Sequence, residues 1–281
     1  MMIRLYHLSV EGVQLVKEEE GSLDALTQRL PPGLYTTFRT LDGGRRVFGL
    51  RDHLKRLYQP AARLGIQPGS APQGLRAALR QIAASFASKE CRLRPILLLE
   101  GEPGDLYVLA EPFSPPPPEL YEKGVAVITV PMRRVNPRLK ATGFIQFSAE
   151  ARRKLAESGA YEAIRVRLRK DCPHGEALEG LTSNFYVLRG DTLITAREGI
   201  LPGVTRRALL RLARAQQLKI TYHPPCLGEP FDEAFLTSSS RGVVPIVQID
   251  QQEIGDGRPG PYTQRLIQAY QEYTLRYAEM I

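Results

Sequence analysis

Cysteine is scarce in this sequence: Cys91, Cys172 and Cys226 are the only three in 281 residues. They are widely spaced, odd in number and in no CxxC pair, so the expectation is neither a disulfide framework nor a zinc site, and a reducing cytoplasm. Cys172 and His174 lie close together in RKDCPHGEA, but nothing nearby completes a tetrahedral ligand set, and no metal is expected. Long apolar runs are missing as well; none approaches the ~18–20 residues that cross a bilayer. The opening MMIRLYHLSVEGVQLV alternates apolar and polar residues and has no uninterrupted apolar stretch of the kind a signal peptide needs. There is no internal repeat. The formal charge is +8, yet the sequence has no basic tail and no nucleic-acid motif. Its dispersed arginines suit small anionic substrates or cofactors, drawn by long-range attraction. Lysine, too, is rare: eight of the 38 basic residues.

That last scarcity singles out MRRVNPRLKATG, residues 132–143, where Lys140 follows Arg133, Arg134 and Arg138. A solvated loop tolerates either basic residue. A chemical role does not, because lysine can lose its proton and attack a carbonyl whereas arginine stays charged. Neighbouring cations favour that loss.

The composition, 43% hydrophobic and 24% charged, is ordinary for a globular chain. Four consecutive prolines in PFSPPPPELYEKG read as a stiff linker. The expected organisation is a small α+β domain over 1–112, a linker over 113–123, and a larger α+β domain over 124–281 that holds Lys140. In the first part, IRLYHLSV, RPILLLEG and DLYVLAEP read as strands, and LYTTFRTL-DGG-RRVFGL as a hairpin. RDHLKRLYQPAARLGI reads as a helix with Leu54, Leu57, Ala61, Ala62 and Leu64 on one face and Pro60 as a kink or break; a second helix is expected over 73–88. In the second part, GVAVITV reads as a buried strand and FSAEARRKLAES as a helix capped by Ser148. YEAIRVRLRK and LEGLTSNFYVL read as paired strands, GVTRRALLRLARAQQ as a helix, and the segment from PYTQRL to the last residue as an amphipathic helix.

Several short stretches carry chemistry-bearing residues. GILPGVTRRALL is a Pro/Gly turn opening a helix, whose first amides, including those of Val204 and Thr205, point outward and attract phosphate. LTSSSRG places Ser239 and Ser240 after a strand, where hydroxyls and loop amides suit a phosphate or carboxylate. Arg56 lies among helix leucines, where it either snorkels or forks onto a phosphate, and His53 lies on the same helical side as a packing or orienting residue. Arg94 begins a buried strand before proline, placed to clamp a carboxylate. Glu179 stands at a strand start; if buried, it needs a cationic partner. Each feature also occurs as plain structure. Together, an amine able to form a Schiff base, an isolated acid, a basic fork and two anion-suited loops describe a pyridoxal phosphate site.

On LYTTFRTLDGGRRVFGLRDHLKRLYQPAARLGI, PRLKATG, SGAYEAI, LEGLTSNFYVL, EGILPGVTRRALL, DEAFLTSSSRGVVPI and GPYTQRLIQAYQEY, in that order, the chain resembles the class IV aminotransferases. These are the fold type IV pyridoxal-phosphate enzymes, among them branched-chain and D-amino acid aminotransferases and aminodeoxychorismate lyase. The resemblance implies a two-domain α+β fold like that of D-amino acid aminotransferase, pyridoxal 5'-phosphate as cofactor, a cytoplasmic homodimer, and no nucleic-acid or membrane partner. It implies Lys140 as the Schiff-base lysine and Glu179 as the acid beside the pyridine nitrogen. Arg56, the Val204 and Thr205 amides and Ser239 are implied as the phosphate site. It also implies Tyr35, Arg94 and Ser240 as substrate-binding residues.

The sequence departs from its relatives in places. EEEGSLDALTQRLPPGLYTT lacks their glycine-rich segment, Thr36 stands where a glutamate is common, Leu99-Glu100-Gly101 replaces a T-R-G, and Phe144 and Ile145 replace an asparagine and a tyrosine. The leading expectation is an aminotransferase acting between an amino acid, branched-chain on the strength of Arg94-Pro95, and a 2-oxo acid. Thr36 and Thr37 support the alternative of a lyase releasing pyruvate from 4-amino-4-deoxychorismate. The missing glycine-rich segment motivates a third reading, a non-catalytic binding relative.

Overall fold

The structure, a computed structural model, describes residues 1–9 and 11–281. In chain order its elements begin β1 (Met2–Ser9), β2 (Gly12–Glu20), α1 (Leu23–Thr27), β3 (Gly33–Tyr35), β4 (Phe38–Arg39), β5 (Arg46–Phe48), α2 (Leu50–Arg63), α3 (Pro72–Ala84), β6 (Cys91–Leu98), β7 (Leu106–Pro112) and α4 (Pro118–Lys123). They continue with β8 (Val125–Pro131), α5 (Gly143–Phe147), α6 (Ala149–Ser158), β9 (Glu162–Arg169), β10 (Cys172–Gly180), β11 (Asn184–Arg189), β12 (Thr192–Ile194), α7 (Val204–Ala215) and β13 (Lys219–Thr221). The last are β14 (Glu233–Ser238), β15 (Gly242–Ile249), β16 (Gln252–Glu253), α8 (Pro261–Tyr277) and β17 (Ala278–Met280).

Two compact units result. The first comprises Met1–Pro115, Leu139–Phe147 and Thr274–Ile281. Its sheet runs β2-β1-β7-β6-β3, with β4 also on β6, and every pairing is antiparallel. The apolar run of β6 is buried on both faces. Leu93 and Leu97 join the core beneath α2 and α3, while Ile96 and Leu98 join a second cluster with Tyr35, Leu23 and Leu26. On α2 the buried face is Leu50, His53, Leu54, Leu57 and Ala61. Ala62 is exposed, being one residue off that stripe, and Leu64 is exposed because the helix has already ended there. Pro60 stays inside an unbroken helix.

The linear partition expected from the prolines is corrected in one respect that matters. Residues 139–147, with Lys140, cluster with the first unit rather than the second. They do so through backbone pairing to β3: the Tyr35 N–H donates to the Lys140 carbonyl at 2.8 Å, and the Thr142 N–H to the Gly33 carbonyl at 2.8 Å. Residues 34–48 form no regular hairpin, since β5 pairs with β17 and Leu41 meets Arg46 only at an isolated bridge. The C-terminal helix therefore stops at Tyr277, and Ile281 is buried.

The second unit comprises Pro116–Arg138 and Ser148–Tyr273. Pro118 opens α4, where its missing N–H would be unbonded in any case. The sheet order is β10-β9-β8-β15-β14-β11-β12-β13, and a further β10–β11 pairing returns six of these strands into a ring. Val127, Ile164, Phe185, Val187, Leu236 and Ile246 fill its core. Ser148 sits at the N-cap of α6, but its hydroxyl accepts from Arg152 Nε at 3.0 Å rather than from the helix backbone.

The expectation of unpaired cysteines is overturned: Cys172 and Cys226 form a disulfide with their Cα atoms 5.8 Å apart. A sequence separation of 54 residues concealed it. What brings them together is residues 225–227 running beside β10, where the Ala177 N–H donates to the Pro225 carbonyl and the Leu227 N–H to the Gly175 carbonyl, at 2.9 and 3.0 Å. In the chain-entropy treatment, closing a loop of this length contributes about 4 kcal/mol. Cysteine usage thus gives no argument for a reducing compartment. No helix among the described residues is long and apolar enough to cross a membrane.

Candidate functional site

The residues singled out in the sequence divide between the units. Tyr35, Arg56, Arg94 and Lys140 belong to the first; Glu179, Val204, Thr205, Ser239 and Ser240 belong to the second.

In the first unit, Lys140 is the one lysine of the eight that is not exposed. Its Nζ lies 4.8 Å from the centroid of the Tyr35 ring. The backbone pairing just described fixes this approach, because Lys140 and Tyr35 are joined main chain to main chain. The Arg94 guanidinium stands over the same ring, 5.0 Å from its centroid. Arg94 is 8% exposed and donates to Asp24, Thr27 and Thr37. Thr36 is fully buried and shares a 2.6 Å hydrogen bond with His53 Nδ1. Of the two hydroxyls on which a lyase would draw, that of Thr36 is thus bonded to His53, and that of Thr37 accepts from Arg94.

His53 lies one helical turn before Arg56. Burial first, then the charges of Arg56 and Lys140, holds its imidazole well below the usual pKa of 6.5, so the folded ring is neutral. An unfolded histidine takes up a proton near pH 6.5. Between the folded value and 6.5 the unfolded chain binds more protons, and stability rises with pH. The urea midpoint of the wild type is expected to fall between pH 7 and pH 5, with a His53 contribution approaching about 1.4 kcal/mol per pH unit. Comparing the same titration for His53→Gln checks this: the variant should lose that component of the slope.

In the second unit, Glu179 is 2% exposed at the end of β10. Arg134 Nη1 and Arg165 Nη2 both donate to its Oε1 at 3.0 Å. The Leu201 N–H donates to its Oε2 at 2.8 Å, and Asn184 Nδ2 reaches the same oxygen at 3.4 Å. Sheet register dictates two of these partners, since Arg165 on β9 and Asn184 on β11 lie directly across from Glu179. Burial, ahead of the neighbouring Arg134, lowers the pKa of Arg165, which nonetheless stays a cation. Gly180 is required where it stands, because a Cβ there would lie 2.2 Å from Ser183 Oγ and crowd Glu162. Two cations on one acid go beyond the single partner that burial demands, and sequence reading named neither.

Helix α7 starts at Val204 after an extended Gly203. Its first amides are free of intrahelical partners by construction. Arg206 anchors this end by donating to Thr195 Oγ1 and the Ala196 carbonyl, each at 2.7 Å. Thr205 Oγ1 lies 3.5 Å from Ser239 Oγ, so the helix start and the serine turn meet. Ser240 is the next residue of that turn. Arg241 pins the turn by donating to Glu162, Thr182 and Ser238.

Comparison with known proteins identifies the family. The model of the family described as amino-transferase class IV matches residues 33–249. A D-alanine aminotransferase of Bacillus licheniformis is 28% identical over 86% of this chain and 88% of its own. A probable branched-chain-amino-acid aminotransferase of Thermotoga maritima is 28% identical over 94% of each. Among solved structures, the branched-chain aminotransferase of the archaeon Thermoproteus uzoniensis with norvaline superposes with a TM-score of 0.79 at 23% identity, covering 100% of this chain and 99% of the other. That likeness shows a shared α+β fold.

Proposed function

The chain belongs to the class IV aminotransferases and is an aminotransferase, and from that premise we propose that it uses pyridoxal 5'-phosphate to move an amino group between a branched-chain or similar uncharged amino acid and a 2-oxo acid. One observation carries the assignment of the reactive residue: among eight lysines, only Lys140 is withdrawn from solvent, with its amine against an aromatic ring.

The chemistry of the residues supports this cofactor. Lys140 would hold it covalently, and Glu179 would face the ring nitrogen. Arg56, the Val204 and Thr205 amides and Ser239 would take the phosphate. When bound, the cofactor supplies an electron sink for the bond broken at the amino acid's Cα. Lys140 would take the proton from the amino acid's Cα and deliver it elsewhere on the same face. Glu179, paired with Arg134 and Arg165, would accept a hydrogen bond from the ring nitrogen. Tyr35, Arg94 and Ser240 would line the substrate side. Small amino acids and 2-oxo acids are the partners in this proposal. It also includes a homodimer, and a cytoplasmic setting argued from those substrates. The Cys172–Cys226 bond is then one of the structural disulfides that intracellular proteins of some organisms carry.

The test is the visible absorption of the purified protein with added pyridoxal phosphate, followed by single amino acids without any oxo acid. A band that bleaches with an uncharged amino acid is the expected outcome and identifies a donor. A band that no amino acid bleaches would sink the transamination.

A further inference from the structure

Arg94 is placed like a receptor for a substrate carboxylate, but a carboxylate of the chain itself is already bound to it. Nη1 donates to Asp24 Oδ1 at 2.6 Å and to Thr27 Oγ1 at 2.9 Å, and Nε donates to Thr37 Oγ1 at 3.0 Å. None of these three bonds uses Nη2. The guanidinium and the Lys140 amine are both about one contact from the Tyr35 ring, at 5.0 and 4.8 Å from its centroid. The ion pair therefore stands beside the reactive amine of its own unit.

Asp24 is held there by construction. Helix α1 is capped by Ser22, whose hydroxyl accepts from the Ala25 N–H at 3.1 Å. Leu23 and Leu26 pack onto the sheet face that carries Tyr35 and Ile96. The Thr27 hydroxyl donates back to the Leu23 carbonyl at 2.6 Å. Turning Asp24 away from Arg94 means disturbing a helix clamped at both of its leucines. The pair is not sealed in the core, since the Asp24 side chain keeps 29% exposure against 10% for Arg94. An anion directed at Arg94 would therefore have Asp24, the more exposed of the two, as a like-charged neighbour.

We propose that Asp24 is a specificity-determining residue: it occupies Arg94 with an internal carboxylate and so disfavours substrates bearing a second carboxylate. A dicarboxylate would have to displace Asp24 or sit beside a like charge, and either is unfavourable in a partly desolvated site. A monocarboxylate 2-oxo acid with an apolar side chain meets no such opposition. This rests on the aminotransferase function and on Arg94 lining the substrate side.

The experiment uses the holoenzyme as wild type, Asp24→Asn and the double variant Asp24→Asn/Arg94→Gln. With one amino donor, kcat/KM is measured for 2-oxoglutarate and for 4-methyl-2-oxopentanoate. The ratio of the two is the readout, because it does not respond to a fraction of inactive protein. Asp24→Asn is expected to raise the ratio towards 2-oxoglutarate by about tenfold, equivalent to roughly 1.4 kcal/mol, through a lower KM for the dicarboxylate. The double variant should return it to the wild-type value or below. Calorimetric titration with glutarate and with 4-methylpentanoate should show the same shift without turnover. An unchanged ratio in Asp24→Asn, with an active wild type, overturns the role of Asp24 and leaves the aminotransferase intact. A wild type that no amino acid converts overturns both.

Discussion

Lys140→Ala is expected to lose transamination by roughly four orders of magnitude or more, because it removes the proposed covalent anchor and proton carrier. Lys140→Arg should fail equally, since a guanidinium keeps its proton and cannot form the bond to the cofactor carbonyl. Neither change should unfold the protein. The structural pairing of this segment runs through the backbone of residues 140–142, and the contact of the Lys140 amine with the Tyr35 ring contributes about 0.5–1 kcal/mol. Three measurements separate chemistry from folding: the visible band, the steady-state rate and the urea midpoint. Loss of the first two with the third nearly unmoved is the predicted pattern. A variant that keeps a lysine-like absorption band would refute the assignment.

Glu179→Gln is expected to lower both stability and activity, and the stability change is the more informative. Arg134 and Arg165 are 9% and 0% exposed, and both direct guanidinium donors at one carboxylate oxygen. Removing the charge leaves two buried cations facing a neutral amide. Breaking a buried pair from one side costs roughly 3–5 kcal/mol. Exchanging Arg165 for methionine at the same time should recover part of that loss, because one of the stranded charges goes with it. A double-mutant cycle by urea unfolding measures the coupling. Additive losses would mean that the arginines are held by other bonds and not by Glu179. Activity should stay low in the double variant even where stability recovers, since the acid proposed to face the ring nitrogen is still missing.

These residues also show what a sequence discloses and what it hides. The 3- and 4-residue spacing of Leu50, Leu54, Leu57 and Ala61 marks a helix face, and the apolar run of β6 marks a strand buried on both sides. Lys140 is conspicuous because the chain writes nearly all its other positive charge as arginine. For the same reason the arginine partners of Glu179 are inconspicuous. Arg165 lies in a strand whose first five residues are all buried, so alternation cannot say which side chain points at Glu179. Asp24 is 70 residues from Arg94 in sequence and looks like any acid in a polar stretch. The two bonded cysteines, and the attachment of residues 139–147 to β3, likewise depend on contacts between distant segments. Local pattern carries elements; register and long-range closure decide which charges meet.

The short strand β17 has a consequence for synthesis. It pairs with β5, and Ile281 is buried in the same core as Leu50 and Val47. The first unit is thus assembled from the earliest and the latest parts of the chain. While a ribosome is still translating the middle, residues 1–115 exist without the segments 139–147 and 274–281 that complete their unit. At about 5–20 residues per second the wait is on the order of ten seconds or more. During it the edges of β3 and β5 are unpaired and the nascent chain is open to chaperones. The second unit, contained within residues 116–273, can close its ring of strands first. Residues 1–115 therefore wait for segments made much later before their unit is complete.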